Sequence, residues 1–346
     1  MTTEAQRIMP IQYLRGIAAM AVVLAHITSH QRPLVGEQSV VLPDVSGFWG
    51  VDIFFVISGF IIVYITRDIA PGFAASRNFF CKRLIRIVPA YWFFTLLIFF
   101  IEKWNIFGNA EASKVNVMML LKSMFFMKPG FPLLFVGWTL TLEMFFYSIF
   151  ALLMIFVKDS GRVVAVCILF VALALLPYLV DSEDRYFRFY TQTVLLEFVA
   201  GMIIAYRFRR NPSAKYSQFS LLVFLVGVGL MVASNVVFDM ETLNRHRALL
   251  WGVPAALIVY GALRFQDFWG SRLASMLGSI SYSLYLCHIM CAYLSAKIAL
   301  DWVLPGVSQG WVYLSLAMVS SLIVSVISYW FFEKYLDQKL RHMFCR

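Results

Sequence analysis

Seven ionisable side chains fall within stretches of this sequence that are otherwise built for lipid: Arg15, His26, Asp52, Glu143, Glu197, His288 and Lys297. A charge at the centre of a membrane helix costs about 2.5–3.5 kcal/mol on insertion scales, so such residues usually face a partner or a wet cavity. Lys297 lies near the end of its stretch and can snorkel to the interface. The other six need a chemical reason. Two of them stand in LRGIAAMAVVLAH, residues 14–26. On a helix Arg15 and His26 are about three turns and roughly 16 Å apart, and at about 100° per residue they share a face. A histidine so placed acts as a general base when an acceptor orients it and a substrate proton comes within hydrogen-bond reach. Asp52 and Glu143 are the acids that can supply the acceptor. Without one, a lone buried histidine is more often a packed polar residue.

A second signal lies in FFCKRLIRIVPAYW, residues 79–92. Arg83 and Arg86 stand three apart on one helical face, with Lys82 beside them, and Pro89 fits the start of a new helix. Two guanidiniums at that spacing grip phosphates through paired charge-assisted bonds, and equally suit anionic lipid head groups. LCHIMC brings Cys287, His288 and Cys291 within about one turn, a set that can hold zinc; no fourth ligand is evident, so no metal is expected. Gly59 in SGF lets helices approach closely. Trp49 and Trp138 fit an interfacial aromatic belt, and Trp138 can also flank a substrate.

The elements that must position these groups follow from composition. The chain has 346 residues, of which 61% are hydrophobic and 14% charged. Runs of about 20 apolar residues recur, the mark of membrane-spanning helices, and the strand-like alternation of an outer-membrane barrel is absent. Ten spans are expected: 11–29, 48–66, 88–101, 138–157, 163–180, 190–207, 218–238, 248–264, 279–299 and 311–332. The third is short and can extend backwards; the apolar piece 116–127 reads as re-entrant or interfacial. The expected fold is an all-α polytopic bundle forming one membrane domain over 1–346, with no soluble domain.

Alternate loops differ in basic residues, eighteen against nine, which puts both termini in the cytoplasm by the positive-inside rule. The net charge of +10 is thereby spent on topology, and nucleic acid is not an expected partner. Arg7 before the first apolar run suggests a cleavable signal, but Arg15 and His26 within it argue otherwise. Five cysteines, an odd number, make a disulfide framework an unlikely expectation. No long internal repeat points to a transporter of duplicated halves. With this topology His26, Asp52 and Glu143 share the outer third of the membrane. Arg15 sits near the inner end, and Glu197 and His288 nearer the middle.

Taken together, IQYLRGIAAMAVVLAH, GVDIFFVISGFII, KRLIRIVPAYW, GWTLTLEMFFY, SYSLYLCH and YWFFEKYL resemble the membrane acyltransferase 3 family, covering residues 10 to about 336. The branch they resemble most is that of the exopolysaccharide O-acetyltransferases. The resemblance implies transfer of an acyl group, acetyl first, from acyl-CoA to a hydroxyl of a cell-surface or exported saccharide, free or lipid-linked. It also implies a bacterial inner-membrane location. By motif, His26 is the family's essential histidine and Arg15 its first-span arginine. Arg83 and Arg86 match the pair associated with the donor, Glu143 the acid after the family's tryptophan, and Asp52 the acid opening its second motif. Tyr335 departs from the pattern, standing where many members have proline, which should affect the C-terminal turn. The implied roles are His26 as base or acyl acceptor, with Glu143 first and Asp52 second as the stabilising carboxylate. Arg15 and Trp138 act on substrate, and Arg83 and Arg86 on the nucleotide. Acyl-CoA is a co-substrate, and no resident cofactor is expected. The rival readings are a transporter or flippase of lipid-linked saccharides, and an acyltransferase with a lipid or peptidoglycan acceptor.

Overall fold

A computed structural model of the protein describes residues 8–105, 115–130, 132–210, 218–264 and 272–345. Of the basic residues counted for topology, Arg7, Lys114, Lys215 and Arg346 lie outside the described residues, as does the side chain of Arg210. Every regular element among the described residues is helical. In lipid that is the economical solution, because a helix satisfies its backbone groups internally.

In chain order the principal helices are α1 (Met9–Ser29), α2 (Gly50–Ile65), α3 (Phe73–Lys103), α4 (Val117–Met124), α5 (Gly137–Phe156) and α6 (Asp159–Leu175). They continue as α7 (Leu195–Arg210), α8 (Gln218–Val237), α9 (Val253–Ala262), α10 (Arg272–Trp302), α11 (Val307–Ser328) and α12 (Asp337–Phe344). A π-helical turn, Ala248–Gly252, leads into α9. Among the described residues, eight helical segments are long and apolar enough to cross a membrane, and two shorter apolar ones, Gly50–Ile65 and Ala248–Ala262, fall on the other two expected spans.

One expectation is corrected, and two take concrete form. Pro89 does not start a helix: α3 runs through it for 31 residues. A membrane helix tolerates proline in its interior: Pro89 leaves the Ile85 carbonyl, one turn back, without its amide donor, while the Tyr282 hydroxyl donates to another carbonyl of the same turn, that of Ile87, at 2.7 Å. The apolar piece 116–127 becomes the eight-residue α4, too short to cross. It is fastened to α3 by the Tyr91 hydroxyl on the Ser123 carbonyl and the Trp92 indole on the Met124 carbonyl. At the C-terminus no turn forms at Tyr335. A π-helical stretch, Tyr329–Leu336, carries the helix on into α12, as a chain without proline there is free to do.

The chain divides into two compact units. The first comprises residues 1–18, 49–80 and 142–279. Its centre is the crossing of α2 and α7, where Gly59 meets the Phe198 backbone and Gly201 meets the Val56 backbone. A Cβ on Gly201 would stand 2.0 Å from the Val56 carbonyl oxygen, and one on Gly59 2.2 Å from that of Phe198. Close approach at small residues, which SGF anticipates for Gly59, is how helices associate where lipid removes the hydrophobic drive. The second unit comprises residues 19–48, 81–141 and 280–346. Gln31, fully buried, donates to the Thr28 and Leu42 carbonyls and accepts from the Val41 amide. Ser39 donates to Gln309 at 2.7 Å. These bonds hold the segment that leads to Phe48.

Candidate functional site

His26 lies in the second unit, on the last turns of α1, and is 7% exposed. Its Nδ1 is 2.9 Å from the carbonyl oxygen of Val22, one turn back on the same helix. A carbonyl oxygen only accepts, so Nδ1 carries the hydrogen and donates. In the neutral ring Nε2 then holds the lone pair, the form a base or nucleophile needs. The ring of Phe48 meets the imidazole edge-on with centroids 4.9 Å apart, and that of Phe135 at 6.4 Å.

A second imidazole faces that of His26: His288, on α10, whose Nε2 lies 3.3 Å from His26 Nδ1. His288 is fully buried, and its Nδ1 faces the Leu284 carbonyl at 3.2 Å. One turn earlier on α10, Tyr285 shares a hydrogen bond of 2.9 Å with Thr139 and donates to the Val136 carbonyl. These bonds fix the start of α5, where Trp138 sits half-buried between Gly137 and Thr139. Histidines 262 positions apart in the chain are thus brought ring to ring.

The two acids lie in the first unit, each with partners of its own. Asp52, fully buried in the first turn of α2, receives two bonds from Arg247: Nε to Oδ1 at 2.9 Å and Nη2 to Oδ2 at 2.8 Å. The guanidinium also lies over the Trp251 ring, 5.1 Å from its centroid. Glu197, buried on α7, neighbours both members of this pair, and Gly252 leaves room for it. Glu143 is half-buried on α5. Its Oε1 accepts from the Ser58 hydroxyl at 2.8 Å and, in a short bond, from the Tyr147 hydroxyl. Two donors thus meet on one carboxylate oxygen.

Arg15 donates from Nη1 to Gln12 at 3.2 Å, beside a close crossing where the Gly278 backbone meets the Gln12 carbonyl. Arg83 and Arg86 are half-buried on α3, on adjacent turns. Cys287 donates to the Ser321 carbonyl, and no group of three or more potential metal ligands occurs among the described residues.

A family model described as an acyltransferase domain matches residues 11–330. The chain belongs to that acyltransferase family. Among its relatives, the exopolysaccharide production protein ExoZ of Rhizobium meliloti (strain 1021) is 32% identical over 302 residues, covering 83% of this chain and 89% of that one. YrhL of Bacillus subtilis (strain 168), provisionally named a peptidoglycan O-acetyltransferase, is 25% identical over 373 residues, covering 96% of this chain and 55% of that one. ORF330 of Acidianus two-tailed virus, provisionally named an acetyltransferase, is 22% identical, with 81% and 82% covered. No solved structure matches. The protein is therefore a multi-pass membrane acyltransferase.

Sequence reasoning did not pair Asp52 with Arg247, Glu143 with Ser58 and Tyr147, or His26 with His288. Tyr147 was within reach, since it stands at i+4 from Glu143, on the same helical face. Arg247 was counted as a loop charge. A buried acid and a loop arginine assigned to the same outer end of the membrane were the signal that they pair.

Proposed function

We propose that this acyltransferase moves an acyl group, acetyl first, from acyl-CoA to a hydroxyl of a cell-surface or exported saccharide. The observation that carries the reading is His26: a buried imidazole whose Nδ1 is engaged by its own helix, with Nε2 left for chemistry. In this reading Nε2 takes the proton of the sugar hydroxyl as the oxygen attacks the thioester carbonyl. The carbon–sulfur bond then breaks, and the proton passes to the departing sulfur, giving free coenzyme A thiol and the ester. The thioester is already activated, so the reading needs only acyl-CoA as co-substrate and no resident cofactor.

The donor enters from the cytoplasm, the side assigned to the more basic loops and both termini, in a bacterial inner membrane. Arg83 and Arg86 hold its phosphates, while Arg15 steers the thioester arm or steadies the oxyanion and Trp138 flanks the acceptor. Glu143, ahead of Asp52, supplies negative charge to the imidazolium that forms. A polysaccharide acceptor is supported by the name of the Rhizobium relative and the acetyl group by the names of the other two.

The test is thiol release from acetyl-CoA by purified protein, with and without oligosaccharide acceptor, and the mass gain of one acetyl group on the saccharide. His26→Ala should lower transfer by about 100-fold or more, within the range of general-base contributions, with the folded yield kept. Saccharide binding without thiol release overturns the reading in favour of transport. Transfer above about a tenth of wild type in His26→Ala removes His26 from its centre.

A further inference from the structure

We infer that His288 is a positioning residue for the transfer, locking His26 in the tautomer that makes Nε2 the reacting atom. The inference rests on the reading of His26 given above, and its geometry lies wholly within the second unit.

His288 Nδ1 faces the Leu284 carbonyl, an acceptor only, so that nitrogen carries the ring hydrogen and Nε2 carries a lone pair. That lone pair points at His26 Nδ1 from 3.3 Å. The hydrogen on His26 Nδ1 is therefore shared between two acceptors, the Val22 oxygen at 2.9 Å and the His288 nitrogen. Moving it to Nε2 would turn the Nδ1 lone pair towards both acceptors at once, in a site where His288 is fully buried and His26 nearly so. Each contact of that kind leaves buried polar atoms without a hydrogen bond. His30, the third ring nearby, sits farther off: its centroid is 6.0 Å from that of His26, against 5.0 Å for His288, and its Nδ1 turns to the His26 carbonyl at 2.6 Å.

The same contact acts during the reaction. When Nε2 takes a proton or an acyl group, positive charge spreads to Nδ1–H, whose hydrogen bonds strengthen as charge-assisted ones do. His288 receives that bond while the proton stays on His26. It does the orienting work that a carboxylate does in a catalytic triad, but as a neutral ring.

The experiment compares His288→Phe, which keeps a ring and removes both nitrogens, with His288→Gln, which returns an acceptor near the Nε2 position. The expected result is a fall in kcat of roughly 10- to 100-fold in His288→Phe, the scale of a small misplacement of a reacting group. KM for acetyl-CoA should stay near wild type, and His288→Gln should recover most of the rate. Wild-type kcat in His288→Phe overturns the inference. So does an equal fall in both variants, or a loss that follows KM or folded yield, each of which marks a packing role. If His288→Phe does not fold, His288→Leu against His288→Gln reads the same contrast. His26→Ala separates the two layers. An active His26→Ala removes the reading of His26 itself, whereas an inactive one beside an unaffected His288→Phe removes only the role of His288.

Discussion

Replacing Arg247 with glutamine should destabilise the protein far more than replacing a surface arginine whose salt bridge is equally short. Arg247 and Asp52 make two charge-assisted bonds, with side chains 13% and 0% exposed. Arg32 and Glu37 meet at 2.9 Å, but with 57% and 74% of their side chains exposed. Distance does not distinguish the pairs; solvent does. Removing one member of a buried pair strands the other charge, a loss of about 3–5 kcal/mol, whereas an exposed pair contributes about 0–1 kcal/mol. Here the stranded group is Asp52 with Glu197 beside it, so Arg247→Gln leaves two acids together without their cation. The assay is the midpoint of loss of the monodisperse peak on size-exclusion chromatography after heating in detergent. Arg247→Gln should shift the midpoint strongly downwards and Arg32→Gln barely. The double variant Asp52→Asn/Arg247→Gln should recover a large part, since contacting residues couple by up to about 3 kcal/mol. An Arg247→Gln midpoint no lower than that of Arg32→Gln would refute the reasoning. Activity per folded molecule of the double variant then tells whether Asp52 serves only the pair or also the chemistry.

Two further outcomes are expected. Glu143→Gln keeps the shape that accepts from Ser58 and Tyr147 but removes the charge; steady-state kinetics should show kcat falling more than KM for the donor rises, and the opposite pattern would assign Glu143 to binding. Arg83→Ala and Arg86→Ala should each raise the dissociation constant for a non-hydrolysable acyl-CoA analogue by roughly ten-fold or more, the equivalent of about 1.5–3 kcal/mol per bond to a charged group; unchanged calorimetric affinity in both and in the double variant would leave the pair with lipid anchoring alone.

How much of this was legible depends on the range of the interaction. Membrane spans are local: an apolar run of sufficient length must be helical, so the ten segments could be read directly, and Gly59 could be marked as a contact from its two neighbours. Pro89 misled because proline favours the first turn of a helix, whereas membrane helices also carry it in their interior. Partner choice is not local. Asp52 meets Arg247 across 195 positions and His26 meets His288 across 262, and nothing in a single helix states which face it will present to a distant one. Depth is the remaining handle. A bilayer makes every unpaired ionisable group costly, so each must find a complement at its own level. The topology assigned Asp52 and Arg247 to one outer end, and that shared depth already argued for a pair. The same rule was applied to His26 with carboxylates alone in view, since a base is conventionally oriented by an acid. A neutral imidazole with its hydrogen pinned elsewhere is also an acceptor. On that chemistry His288, noted in the sequence only as a buried charge and a doubtful zinc ligand, was a candidate all along.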